Sequence, residues 1–255
     1  MAVRETGWSP VCYEYDGSFA GFLTCVFESY AAKEEPVAFF APEDTRYALW
    51  PTRRIDTHPQ RAGRVYRALE PKLGVWGKRL VCRGFLAGME ERERHIWAFL
   101  AYGLRRGPEA ARDLGDPRVD CLRRAVEQLE EEAHRYTGFV RFSDYGGMLV
   151  GEIAPKNRVL PLLRPHFVQR FAGEDFFLHD RTHREGLVYQ QGRWSIVPVE
   201  GLTLPPLDEE EEGYRQLWRR FFHAVSIAQR ENPKAQARNL PHRYRSEMVE
   251  FESEG

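Results

Sequence analysis

Residues 134–199 constrain the fold more than any other part of the chain, because short strand-like segments alternate there with turn residues. Two segments are joined by Asp144-Tyr145-Gly146-Gly147, and paired glycines supply the positive φ of a tight hairpin turn. A helix follows, starting at Pro161 or Pro165, since proline fits a first turn better than a helix interior. The predicted strands are 139–142, 149–153, 176–180, 187–190 and 194–199. We therefore predict an α+β fold, with an antiparallel sheet of about five strands, a crossing helix and several amphipathic helices packed on it.

The flanking sequence predicts those helices and three further strands. Apolar residues recur at helical spacing in 19–33, 59–70, 89–104, 117–138 and 214–225, and strands are predicted at 11–15, 36–40 and 46–50. The last helix carries Tyr214, Leu217 and Trp218 on one face, which we expect to be buried. Pro205-Pro206 and the acidic run 208–212 indicate a boundary. We predict a main α+β domain, residues 1–204, with a C-terminal helix and basic tail, residues 205–255, packed on it as one structural unit.

Composition excludes some classes of function. The net charge of −1 argues against bulk non-specific adhesion to nucleic acid, so any basic surface must be local. The cysteines at 12, 25, 82 and 121 have no zinc-type spacing, and we predict no metal site. The sequence contains no signal peptide and no apolar run long enough to span a bilayer. We expect a cytoplasmic protein without a membrane partner.

Basic residues in and beside the predicted sheet are the strongest chemical signal. Several cations on one face would favour a phosphate chain, and flat side chains among them could stack on unpaired bases. In the competing interpretation, the phenylalanines belong to the core and the arginines pair with carboxylates. The predicted nucleic-acid contacts are Arg135, Phe139, Arg141, Lys156, Arg158, His166, Arg170, Arg181, Arg184, Lys234, Arg243 and Tyr244.

Histidines offer a second kind of chemistry. His134, His166 and Asp180 are candidate catalytic residues for a hydrolase, acting as acid, base or metal ligands. His179 and His183 flank Asp180, but this spacing on a strand and turn is a weaker metal signal than the same spacing on a helix. The alternative is that these histidines are surface or hydrogen-bonded residues.

Several separated motifs also carry a family resemblance. They are Tyr15-Asp16-Gly17-Ser18-Phe19, Val26-Phe27-Glu28-Ser29-Tyr30, Glu132-Ala133-His134-Arg135, Gly138-Phe139-Val140-Arg141-Phe142, Glu152-Ile153-Ala154-Pro155, Leu160-Pro161-Leu162-Leu163 with Pro165-His166-Phe167, Asp180-Arg181 and Glu231-Asn232-Pro233-Lys234. Over nearly its full length the chain resembles a bacterial family described as probable DNA metabolism or putative DNA repair proteins, a domain of unknown function. In longer relatives this domain precedes a uracil-DNA glycosylase domain, and this chain looks like the stand-alone form.

The resemblance implies a radical SAM protein as partner. Such an enzyme holds an iron–sulfur cluster with three closely spaced cysteines, which this chain lacks. The cluster and SAM are therefore expected in the partner, with no cofactor in this chain. We hypothesise a DNA-binding accessory protein for DNA repair or modification, whose phosphate contacts are Arg135, Arg141, Arg170 and Arg181 and whose base contact is His166 or Phe139.

Two other interpretations stay open. One is a nucleic-acid enzyme that acts by itself through His134, His166 and Asp180. The other is a protein–protein adaptor that does not contact DNA.

Overall fold

The computed structural model describes residues 7–42, 44–202, 204, 206, 209–225 and 240–251. The chain forms two compact units, Met1–Leu129 and Glu130–Gly255, termed unit 1 and unit 2. The predicted division between residues 204 and 205 falls inside unit 2 and stays a prediction.

Unit 1 contains a parallel three-stranded sheet. Its strands are β1 (Ser9–Glu14), β2 (Glu34–Phe40) and β3 (Thr52–Arg54), in the order β2-β1-β3. Helix α1 (Phe19–Ala32) returns the chain between β1 and β2, which makes this pair parallel. Ser18 caps α1 by accepting a hydrogen bond from the Gly21 amide at 2.9 Å.

The predicted strand at 46–50 is wrong. The Arg46 side chain folds back onto Asp44, with Nε 3.0 Å from Oδ1, and Tyr47 and Leu49 are exposed rather than packed on a sheet. Pairing with β1 begins instead where the Cys12 amide donates to the Pro51 carbonyl at 2.9 Å, just before β3.

Three long helices follow: α2 (Pro59–Gly84), α3 (Arg92–Arg106) and α4 (Pro117–Phe139). A short 3₁₀ helix at Pro108–Arg112 precedes α4, and the boundary between the units lies within α4. Helix α2 continues past the predicted end at residue 70 with a kink at Gly74, whose φ of 72° favours glycine. The core of unit 1 includes Phe22, Leu73, Phe99 and Leu122.

Unit 2 is built on a five-stranded sheet in the order β4-β5-β6-β7-β8. The strands are β4 (Phe142–Asp144), β5 (Met148–Ile153), β6 (Asp175–Asp180), β7 (Glu185–Gln190) and β8 (Arg193–Pro198). Helix α5 (Leu160–Arg170) lies between β5 and β6 in the chain. Helix α6 (Glu209–Val225) and two 3₁₀ helices, His242–Glu247 and Val249–Phe251, complete the unit.

The α+β class and the five strands are confirmed, but the prediction of an antiparallel sheet is wrong. β5 and β6 pair in parallel, while the other three pairs are antiparallel, so the sheet is mixed. The physical reason is α5, because a helical connection returns the chain to the end of the sheet at which the previous strand began.

The first hairpin and the aromatic core position the site. Gly146 and Gly147 have φ values of 69° and 92°, which confirms the predicted turn between β4 and β5. The Phe142 ring lies 5.2 Å from that of Phe167 and 5.0 Å from that of Phe171. Phe139, predicted on the first strand, is instead the last residue of α4. None of the described helices is both long and apolar enough for a membrane span.

Candidate nucleic-acid interface

Four of the predicted nucleic-acid contacts lie at one end of the unit 2 sheet. Lys156 and Arg158 follow β5, and Arg181 and Arg184 form the turn after β6. Because β5 and β6 run parallel, both connections leave the same end of the sheet. The Arg181 amide joins them by donating to the Ile153 carbonyl at 2.9 Å. We call these four residues the cationic edge.

A buried carboxylate organises one side of this edge. Glu132, 3% exposed, accepts from the Lys156 amide at 3.1 Å and from the Asn157 amide and side chain at 2.9 and 2.6 Å. Arg243 Nη2 lies 3.0 Å from Glu132 Oε1 and supplies the counter-charge. Glu132 therefore holds the loop between β5 and α5 in place and occupies part of the Arg243 guanidinium.

Carboxylates also bind two predicted nucleic-acid contacts, one on the cationic edge and one on α4. Arg158 binds Glu185, the first residue of β7. Arg135 binds Glu131 one helical turn away, at 2.5 Å. These pairs match the competing interpretation from the sequence for these two arginines.

The predicted stacking residues are mostly packed inside unit 2. Tyr244 is fully buried, and its ring lies 5.0 Å from that of Tyr136 and 5.3 Å from that of Phe139. A base cannot stack on Tyr244 in this position. His166 is exposed on α5, edge-on to Phe167 at 4.9 Å. Lys234 lies outside the described residues.

Asp180, a candidate catalytic residue, is fully buried and shapes the turn between β6 and β7. Its Oδ1 accepts from the Thr182 and His183 amides, both at 3.0 Å, and its Oδ2 lies 2.7 Å from His183 Nδ1. His134 is exposed on α4. The structure thus joins Asp180 to His183 within a tight turn, and the Asp180 carboxylate is closed to a substrate.

A second histidine–carboxylate pair lies on the opposite face of the sheet. His179 Nδ1 is 2.9 Å from Glu152 Oε1, across the parallel pair β5–β6. Side chains alternate along a strand, so His179 and Asp180 point to different faces. Among the residues that the structure describes, no three His, Cys, Asp or Glu side chains are placed to hold a metal ion.

One large opening in unit 2 was not predicted from the sequence. It is a groove of about 1010 Å³ in which α6 faces the first hairpin and α5. Most of its lining is apolar or aromatic, and it comprises Gly138, Val140, Phe142, Leu149, Phe167, Phe171, Tyr214, Leu217, Trp218 and Val249. We call it the aromatic groove.

Helix α6 leaves its aromatic face open to this groove. Tyr214 is 61% exposed, Leu217 62% and Trp218 41%, so the expectation that this face is buried is wrong for these residues. The helical spacing was the signal in the sequence. It identified an apolar face, but not whether another element covers it.

Charged side chains complete the aromatic groove: Arg141, Arg170, Arg215, Glu174 and Glu211. Arg141 Nη1 donates to the Gly138 carbonyl at 3.0 Å, which caps the end of α4, and its guanidinium carbon lies 6.0 Å from the Trp218 ring. Arg215 donates to Ser143 Oγ at 2.7 Å. Arg170 is exposed, with its guanidinium carbon 5.5 Å from the Phe171 ring.

The comparisons with known proteins give a family but no activity. A family model described as "domain of unknown function", DUF4130, matches residues 90–250. The chain belongs to this family. The match includes every residue that lines the aromatic groove. No curated protein and no solved structure matches the chain.

Proposed function

We propose that the protein binds DNA as an accessory in DNA repair or modification, and that an unpaired stretch of the strand enters the aromatic groove. The observation that carries this proposal is the groove itself, whose lining combines Arg141 and Arg170 with the exposed aromatic rings of α6. Both arginines were predicted as phosphate contacts from the sequence.

Single-stranded nucleic acid suits this lining for two reasons. Every unpaired base offers a flat face to Tyr214 or Trp218, and each such stack contributes about 1–3 kcal/mol of binding free energy. A guanidinium beside the ring can contact the adjoining phosphate. Stacked bases in a duplex have both faces covered, so we expect duplex DNA to bind more weakly.

The cationic edge extends the proposed path along the sheet. The groove lies near the start of β5 and β6, and the edge lies at their carboxyl ends. Six residues of strand separate these ends by about 17–20 Å. A strand with bases in the groove could place its further phosphates near Lys156, Arg181 and Arg184.

The proposed partner is a radical SAM protein that contributes the iron–sulfur cluster and SAM. In this chain Cys12 and Cys25 are buried. Burial raises the pKa of Cys25 to about 12, so its thiol stays protonated near neutral pH. The proposal assigns the redox chemistry to the partner, and binding and orientation of DNA to this chain.

The first experiment measures fluorescence anisotropy of labelled single-stranded, duplex and uracil-containing oligonucleotides with the purified protein. We expect the single strand to bind most tightly, and its affinity to fall about twentyfold between roughly 50 and 200 mM salt, as expected for about three phosphate contacts. No salt-sensitive binding to any of the oligonucleotides would remove the proposal.

Two variants test whether the single strand binds at the aromatic groove. Arg170→Gln should weaken single-strand binding and flatten its salt dependence, whereas Arg124→Gln in unit 1 removes the same charge and should change neither. Arg124 is a matched control because its side chain is 69% exposed. Equal losses in the two variants would contradict a specific role for the groove.

An adaptor function is the second candidate, because the groove lining is mainly apolar and could receive an amphipathic helix of a partner protein. Trp218→Leu separates the two functions. Leucine keeps an apolar surface for a helix but removes the ring on which a base stacks. Loss of DNA binding in Trp218→Leu supports the DNA proposal. If the natural chain binds no DNA and Trp218→Leu still captures the partner protein, the adaptor function is supported.

A further inference from the structure

A second cavity lies in unit 1, at the carboxyl ends of its three parallel strands. It has a volume of about 500 Å³, and its lining includes Glu14, Phe40 and Arg54, the last residues of β1, β2 and β3. The chain leaves the central strand β1 toward β2 and returns to the other side of β1 with β3. Open parallel sheets bind ligands in the crevice outside the carboxyl ends of their strands, where the strand order reverses. We call this cavity the polar crevice.

Asp16, in the loop between β1 and α1, lines the polar crevice and is held by hydrogen bonds. Its Oδ1 accepts from the Ser18 amide at 2.9 Å and from Ser18 Oγ at 2.7 Å, and its Oδ2 accepts from Thr57 Oγ1 at 2.6 Å. Gly21 leaves room for this arrangement, since a Cβ there would lie 2.2 Å from Asp16 Oδ1.

This arrangement disfavours a phosphate ligand. The amino end of a helix attracts anions. At the start of α1, however, the Asp16 carboxylate already accepts a hydrogen bond from the Ser18 amide, so this amide is occupied. Partial burial opposes ionisation of Asp16, yet the hydrogen bonds from Thr57 and Ser18 hold its pKa below the usual value. The Asp16 carboxylate is therefore negative at neutral pH and repels a second anion.

Other lining residues add further carboxylates and an aromatic ring. Asp44 receives Arg46 Nε at 3.0 Å, and the Asp56 side chain is 91% exposed, 3.5 Å from Arg54. Carboxylates outnumber guanidinium groups in the lining. Tyr47 also lines the crevice and is 94% exposed, so its ring is open to a ligand.

We propose that the polar crevice binds a ribonucleoside without phosphate groups, whose ribose hydroxyls donate to the carboxylates and whose base lies against the Tyr47 ring. A carboxylate beyond a strand end that accepts from ribose hydroxyls is a known arrangement in parallel α/β folds. The cavity volume falls within the range of about 300–1,000 Å³ for small-ligand sites. This site is independent of the aromatic groove and of the DNA-binding proposal.

The test is isothermal titration calorimetry on the full chain with adenosine, guanosine, cytidine and uridine. We expect at least one of them to bind saturably. Its 2′-deoxy form should bind about tenfold more weakly because it lacks one hydroxyl donor to a carboxylate. Its 5′-monophosphate should also bind more weakly, because it brings an anion beside Asp16.

Two exposed positions test the geometry with little risk to folding. Asp56→Asn and Tyr47→Ala should each weaken binding of that ribonucleoside about tenfold. Glu109→Gln is the control, since it removes a similarly exposed carboxylate of unit 1 outside the crevice and should leave the affinity unchanged. The proposal is overturned if none of the four ribonucleosides binds, if the 5′-monophosphate binds as tightly, or if both variants keep full affinity.

Discussion

The cavities of the two units differ in both sheet geometry and lining. The polar crevice of unit 1 lies at the carboxyl ends of an all-parallel sheet and carries more carboxylates than arginines. The aromatic groove of unit 2 lies beside a mixed sheet and combines aromatic rings with three arginines and two glutamates. A net charge of −1 conceals this contrast, because it sums over surfaces that favour different ligands. The comparison teaches that the charge of each lining, rather than the total charge, has to be considered when a ligand is proposed for a cavity.

The largest expected effect concerns the acid that supports the cationic edge. Glu132→Ala removes a buried acceptor from Asn157, from the Lys156 amide and from Arg243, all in unit 2. We expect the free energy of unfolding to fall by about 3–5 kcal/mol, because a buried charge network loses one partner. Urea denaturation followed by circular dichroism measures this change, with exposed Glu109→Gln as the control. A loss below about 1 kcal/mol would show that the edge does not depend on this carboxylate.

Gly21→Ala tests whether the polar crevice depends on close packing around Asp16. The new Cβ would also lie 2.8 Å from Thr57 Oγ1 and 2.9 Å from Tyr15 Cδ2. Overpacking of this kind costs about 1–3 kcal/mol, which urea denaturation would detect. Gly213→Ala on α6 is the control, because a Cβ at that position meets no atom within 4 Å. Equal stability of Gly21→Ala and the natural chain would contradict the tight arrangement.

The two predicted phosphate contacts in the aromatic groove, Arg141 and Arg170, should differ in how much they stabilise the fold. Arg141 caps the end of α4, so Arg141→Gln should lower the free energy of unfolding by about 1 kcal/mol. Arg170 is exposed, and Arg170→Gln should stay within about 0.5 kcal/mol of the natural protein. Thermal unfolding of the two variants measures the difference. Equal destabilisation would mean that Arg170 also supports the fold.

The smallest expected effect is a pH dependence in unit 1. The pKa of Asp16 is lowered in the folded protein, so its stabilising contribution is present above the unfolded value of about 3.9. This contribution is lost as the pH falls through the lower, folded value. The stability difference between the natural chain and Asp16→Asn should therefore shrink below about pH 4, as measured by urea denaturation from pH 3 to 7. A constant difference would contradict this assignment.

Local patterns in the sequence predicted elements better than their arrangement. The Gly146-Gly147 turn followed from backbone chemistry and is confirmed by positive φ values. The parallel pairing of β5 and β6 could have been predicted from the strand–helix–strand order. The alternation of apolar and polar side chains gives no information on strand direction. The ion pair of Arg135 with Glu131 was also accessible, because the residues are one helical turn apart.

The site depended on long-range contacts and was harder to predict. The partner of Arg158 is Glu185, 27 residues away, and their sequence positions give no hint of contact. Tyr244 lies near the end of the chain, where nothing in its neighbourhood predicts burial against Tyr136. The exposed face of α6 likewise reflects which elements fold over it, a property of the whole unit rather than of the helix.

The carboxylate of Glu132 connects three distant parts of the chain, since it binds a helix-preceding loop at 156–157 and Arg243 near the C-terminus. Shortening the protein before Arg243 would leave this internal anion without that cation. Proteolytic loss of about a dozen terminal residues is therefore expected to loosen the β5–α5 loop, and with it Lys156, far away in sequence from the cut.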